Sequence, residues 1–322
     1  MKKIVLIVSL GVLIIFLSNF QNPVEVPHEM IVDKSKGEWT LMVIPDMQRY
    51  TEDWSEQGYE WQEEVTTFKW MVTVSEDMNI KFVQSLGDMV QSSPENGGHN
   101  NLEWGRAQQM YDLLLDADIP AVPLAGNHEW GSDNDYTWLN KYFPLSKFQS
   151  RDWWGGNING IENTYQQLIL GQEKYLFISI GWKITDDVKE WAKNIIQSHS
   201  DHKVIISHHY KAKVPFAELV DPFENVIMTL HGHVNKETYE TSNNGRSHSF
   251  EQGFQDEGFD AGEKGDCQIR YFLFKPLEDK VEWWTYSVVM NEGKGGYWTK
   301  QPSSQGSFHL VQIGPGESEE EK

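Results

Sequence analysis

Five apolar, strand-length runs in this chain each stop at a residue able to bind a metal ion, and that recurrence narrows the possible folds more than any other feature. Residues 39–45 run into Asp46, 80–86 into Gly87-Asp88, and 119–124 into Gly126-Asn127-His128-Glu129. Further on, 204–206 run into Ser207-His208-His209, and 225–230 into His231-Gly232-His233. Helical spacing fills the first two gaps: Val65, Phe68, Val72 and Met78 recur over 63–79, and Met110, Leu113, Leu114 and Ala117 share one side of 102–118. Strand, helix, strand, helix, strand is the order of a parallel α/β sheet, whose ligands bind beyond the carboxyl ends of its strands. The same order returns with a strand at 175–180 and a helix at 187–198. The last third, including 268–274 and 281–289, alternates as antiparallel strands do. The Gly- and Trp-rich stretches 130–160 and 241–265 are expected to be long loops that wall a pocket.

Charge and the chain ends bound the function. The 322 residues suit one large domain or two small ones, and they carry a formal net charge of −21. Such a field repels nucleic acid and anionic membranes, so a nucleic-acid polymer is not an expected partner; metal cations could still reverse the sign locally for a phosphate-bearing substrate. Lys2 and Lys3 precede an apolar run over 4–17, which reads as an export signal. No small-x-small cleavage site follows, so residues 1–20 are a signal peptide or a signal anchor, and the membrane enters only through that anchor. Residues 21–37 read as a linker, 38–314 as the globular domain and 315–322 as an acidic tail. Cys267, the sole cysteine, excludes an intramolecular disulfide and a multi-thiolate zinc site.

Asp46, Asp88, Asn127, His208 and His233 together offer carboxylate, amide oxygen and imidazole, a ligand set for divalent metals. Taken singly each has a plainer explanation, since an Asp after a strand is usually a turn residue or helix cap and a Gly-Asp pair is weak evidence. Five such ends in this order are hard to explain as separate turns.

The order of motifs resembles the calcineurin-like metallophosphoesterase superfamily. The stretches concerned are PDMQRY from Pro45, SLGDMV from Ser85, AGNHEW from Ala125, ISHHY from Ile206 and HGHVN from His231. A bacterial, often exported branch whose first motif is Pro-Asp-x-Gln looks most similar, also through YFPLSKFQSRDWWGG and the TYS after Trp284. The resemblance implies an α/β fold, a four-layer α/β/β/α sandwich of two mixed sheets. It also implies that Asp88 bridges two metals, that Asn127, His208 and His233 complete one site, and that Asp46 belongs to the other. His128 would lie beside the phosphoryl group as donor or acid, the one catalytic side chain. His209 and His231 match no ligand position and are expected to be structural.

Two positions depart from the family pattern: Gln48 and Asn235 stand where histidines of one metal site would be. That site would then be all oxygen, from Asp46, Asp88, Gln48 and Asn235, and would suit Mg²⁺, Mn²⁺ or Ca²⁺, whereas the imidazole site suits Zn²⁺, Mn²⁺ or Fe. The cofactors are thus divalent ions, expected as two of unequal occupancy. The implied activity is hydrolysis of phosphoric mono- or diesters by direct attack of metal-activated water on phosphorus. The alternative is a catalytically inactive metal- or ligand-binding relative. The substrate would be a small phosphoester, such as a nucleotide, a lipid head group or a sugar phosphate. Arg49 could contact a phosphate oxygen or pair with a local acid. Trp130, Trp153 and Trp154 could line the mouth, and Gln255 and Arg270 are expected to be structural.

Overall fold

The structure is a computed structural model, and it describes residues 31–91, 100–130, 135–243, 245–254, 267–289, 297–298 and 305–310. The expected export segment, most of the linker, the acidic tail and Gln255 lie outside the described residues. Among the described residues no helix is long and apolar enough to cross a membrane.

Two seven-stranded mixed sheets form the centre. The first contains β1 (Trp39–Ile44), β2 (Ile80–Ser85), β3 (Ala121–Val122), β11 (Gln268–Lys275), β12 (Lys280–Ser287), β13 (Tyr297–Trp298) and β14 (Gln305–His309). The second contains β4 (Trp154–Asn157), β5 (Asn163–Leu170), β6 (Glu173–Ile180), β7 (Lys203–His208), β8 (Val226–His231), β9 (Glu237–Ser242) and β10 (Ser247–Gln252). In the first, β1, β2 and β3 are parallel neighbours and β11 joins β1 antiparallel. In the second, β6, β7 and β8 are parallel neighbours. Each set therefore opens its carboxyl ends on one edge.

Aromatic packing joins the sheets. Trp39 of β1 stacks on Phe274 of β11 at 4.0 Å and meets Tyr175 of β6 edge-on at 4.8 Å, while Phe82 of β2 stacks on Phe177 of β6 at 4.2 Å. Alternation in β6 then assigns the faces. Tyr175 and Phe177 join this inter-sheet core, and Leu176, Ile178 and Ile180 join a second cluster with Val188, Ala192 and Ile196 of the helix Asp186–Ser198. On the other side Phe68 and Met71 of the helix Trp61–Val74, and Met110 and Leu114 of the helix Asn101–Asp116, belong to the large core. Helix, sheet, sheet, helix gives four layers. This is the expected fold, the calcineurin-like phosphoesterase fold.

Several elements differ from the sequence reading. The run 119–124 holds only the two-residue β3, because Pro120 and Pro123 flank it and cannot donate to a ladder. The stretch 130–160, expected as loop, contains the helix Thr137–Tyr142 and β4, and 241–265 contains the fully buried β10.

One buried acid sits apart from the strand ends. Glu64, in the helix Trp61–Val74, lies against Cys267, whose N–H donates to the Tyr50 hydroxyl at 2.9 Å. Burial pushes the Glu64 pKa up to about 7, despite a hydrogen bond from Cys267. An acid raised in the folded state carries no penalty below its unfolded pKa near 4.5, and the penalty grows until the pH passes about 7. Unfolding measurements in chelator should therefore show Glu64→Gln gaining on the parent chain, by on the order of 3 kcal/mol, between pH 5 and pH 8. A constant difference across that range would contradict the assignment.

Candidate metal centre

Five strand ends converge where the two open edges meet. The first sheet supplies Asp46 after β1, Asp88 after β2 and Asn127 after β3; the second supplies His209 after β7 and His233 after β8. His209 Nε2 lies 3.1 Å from Asp88 Oδ2, 3.1 Å from Asn127 Oδ1 and 3.1 Å from His233 Nδ1. The ligating atoms of Asp88, His209 and His233 all lie within 4.8 Å of one another. His209 Nδ1 donates to the Leu86 carbonyl at 2.7 Å, which fixes the tautomer and turns Nε2 toward the cluster.

His208 is not in the cluster, contrary to the expectation from the sequence. Along β7 the side chains of Val204 and Ile206 face the helix Asp186–Ser198, while Ile205 faces the inter-sheet core. His208 falls on the parity of 204 and 206, so it points away, and His209 takes the inner position. The Nδ1 of His208 accepts from Tyr210 N at 3.0 Å, and burial, with the His209 charge, holds its pKa down to about 3. His231 donates from Nδ1 to the His208 carbonyl at 2.8 Å.

The remaining candidates divide. Asp46 is buried and accepts the His233 N–H at 3.1 Å, tying the sheets together. Gln48 is buried, with its amide nitrogen 3.4 Å from Asp88 Oδ2. Asn235 is exposed on the bend two residues past His233. His128 donates its backbone N–H to Asp88 Oδ1 at 3.1 Å, its Nδ1 is 2.8 Å from the Gln91 carbonyl, and its Nε2 stands 3.8 Å from Asp88 Oδ2. Arg49 lies over the Trp54 ring at 4.5 Å. Arg270 is fully buried and bonds Glu237 at 2.7 Å. Trp153 is buried, while Trp130 packs against Tyr136.

Glu129, passed over in the sequence, holds the loops in shape. Its Oε2 accepts from Asp88 N at 2.9 Å and Gly126 N at 2.7 Å, and its Oε1 accepts from Met89 N at 2.7 Å and Val90 N at 3.2 Å. The acid that ends Gly-Asn-His-Glu was the available signal. Glycine at two positions is a matter of space. A Cβ on Gly126 would lie 2.1 Å from Asp88 Oδ1, and one on Gly232 would lie 2.3 Å from Asp46 Oδ1. Asp88 and His233 adopt φ of 50° and 72°, uncommon for residues with side chains and found where surrounding structure enforces them.

The electrostatics favour a cation. Burial and the Asp88 charge push Asp46 and Glu129 up to about 7. Asp88 is held down to about 2, because the charge and hydrogen bond of His209 outweigh its burial. His209 is itself raised to about 9 by Asp88 and Asp46, against its own burial. Three buried carboxyl groups thus cluster about one histidine, and each acid's ionised form is favoured by positive charge placed among them. Oxygen and imidazole donors at these separations fit a divalent metal.

No family model matches the chain. A curated relative, the "Uncharacterized protein YvnB" of Bacillus subtilis (strain 168), is 26% identical over 299 residues, 87% of this chain and 22% of that protein. The chain thus spans about a fifth of the length of the curated relative it matches. Among solved structures, a dimetal phosphatase from Danio rerio is similar in fold, with a TM-score of 0.56 at 11% identity over 85% of this chain and 99% of that one. GAP50, the anchor in the inner membrane complex of Plasmodium, gives a TM-score of 0.48 at 12% identity over 81% of this chain and 88% of that one.

Glu129→Gln should expose the importance of the clamp. An amide nitrogen in place of one oxygen would face backbone donors, leaving at least one without an acceptor. Chemical denaturation should register a loss of about 2–4 kcal/mol, and a loss below about 0.5 kcal/mol would show that the four bonds do not hold the loops.

Proposed function

We propose that this chain is a metal-dependent hydrolase of phosphoric esters, with Asp46, Gln48, Asp88, Asn127, His209 and His233 as its metal ligands. The observation that carries the reading is the convergence of Asp88, Asn127 and His233 on His209 Nε2, each at 3.1 Å. The fold agrees with it. Bound divalent ions would supply activation of water and neutralisation of charge on the phosphoryl oxygens.

The chain's own residues do the rest. Asp88 would be shared by two metal sites, one completed by Asn127, His209 and His233 and the other by Asp46 and Gln48. Gln48 would present its amide oxygen, an orientation reached by a simple flip of the side-chain amide. His128 is held by Gln91 through Nδ1–H, which leaves Nε2 as the atom facing the cluster; it would accept a proton as a neutral ring and donate to a phosphoryl or leaving-group oxygen only as the imidazolium. The imidazole group binds first, and the oxygen-only group binds weakly or with substrate. The substrate is a small phosphoester, and the −21 net charge argues against a nucleic-acid polymer. The basic, apolar start of the chain supports action outside the cytoplasm.

A second reading, an inactive binder, draws on Gln48 and the exposed Asn235 standing where the family pattern has histidines. Turnover of p-nitrophenyl phosphate or its bis-ester with Mn²⁺ decides between them. A hydrolase should release nitrophenol, and chelator should stop it. Asp88→Ala, Asn127→Ala and His209→Ala should each lower kcat/KM by at least about 100-fold, while His208→Ala should stay within about tenfold. Loss of activity in His208→Ala with retention in His209→Ala would reverse the assignment.

A further inference from the structure

Beside the metal centre stands a pair of lysines with no carboxylate partner among the described residues. Lys213, on the short turn Lys211–Lys213 after His209, places its ammonium 3.2 Å from the centroid of the Trp182 ring. That ring lies 5.3 Å from the His233 ring and 5.7 Å from the His209 ring. Lys183, next to Trp182, is near enough that its charge, after burial, lowers the Lys213 pKa, and the Lys213 charge is in turn felt at His233. Neighbouring lysines are neutralised: Lys211 by Glu240, Lys193 by Glu218, and Lys189 by Asp186 and Glu218. In a chain of net charge −21, two lysines with no carboxylate partner among the described residues form a local exception.

The cleft beyond Lys183 has a volume of about 700 Å³ and is lined by Trp130, Tyr136, Asn140, Glu162 and Lys183, among others. Two of its carboxylates accept from neutral donors. Asp135 accepts from Thr137 N, and Glu162 accepts from Gly160 N and Asn140. Lys183 lines this cleft, and Lys213 stands beside the metal centre through Trp182.

We propose that Lys213, seated on Trp182 and assisted by Lys183, binds a second anionic group of the substrate, so that the preferred phosphoester carries a further phosphate or a carboxylate on its leaving group. The aromatic seat keeps the ammonium in place without neutralising it. This deepens the phosphoesterase reading and rests on it for the position of the scissile phosphate.

Calorimetric titration of the full chain with Mn²⁺ would use three probes on one scaffold: glycerol 3-phosphate, 3-phosphoglycerate and glycerol 1,3-bisphosphate. Inorganic phosphate would be assayed in the same samples. At low ionic strength one or both doubly anionic probes should bind at least about fivefold tighter than glycerol 3-phosphate, and the preference should shrink at 0.5 M salt. Preference for the carboxylate probe alone or the bisphosphate alone identifies the second anion. The preference should disappear in Lys213→Met and persist in Lys213→Arg, with unchanged circular dichroism in both. Equal binding of the three probes to the parent chain, or a preference surviving Lys213→Met, overturns the proposal. Preference without phosphate release here and without nitrophenol release from either nitrophenyl ester would remove the hydrolase reading and leave the anion site standing; phosphate release without preference would do the reverse.

Discussion

Negative charge buried at the meeting of two sheets is the constraint from which the rest of the structure follows. An isolated carboxylate taken out of water costs several kcal/mol unless donors or cations surround it. Each of the three buried acids has its own solution. Glu129 accepts four backbone N–H groups, Asp46 accepts the His233 N–H, and Asp88 faces His209 and His128. The uncommon backbone of Asp88 and the absence of a Cβ at positions 126 and 232 are the geometric results of bringing those donors close.

Much of the architecture was legible because parallel strands buried on both faces write continuous apolar runs, and the polar residue that ends each run is conspicuous. The same property hid the choice between the paired histidines. Val204, Ile205 and Ile206 are all apolar, so β7 offers no alternation from which its inner face could be read. Only packing against β6 and its helix fixes the parity that brings in His209 and sends His208 outward. Glu129 was missed for a different reason. Its partners are backbone groups, and only the acid closing Gly-Asn-His-Glu signals them. Trp182 was one of 14 tryptophans, and its place beside His209 and His233 depends on the end of β6.

The candidate donors around Asp88 differ in hardness, imidazole from His209 and His233 against oxygen from Asp46 and Gln48. His209 and His233 are locked by the Leu86 carbonyl and by the turn that bonds to Asp46. Gln48 is buried with its amide nitrogen 3.4 Å from Asp88 Oδ2, and Asn235 is exposed.

Because Asp46, Asp88 and Asn127 belong to one sheet and His209 and His233 to the other, a cation held among them is a rivet through both layers. Sliding one layer past the other would pull its donors apart, so the affinity for that cation also resists the shear. By mass action, raising the concentration of free ion would tighten the sandwich as a whole. The aromatic core between the layers supplies area without direction; such a rivet would supply the direction that area lacks.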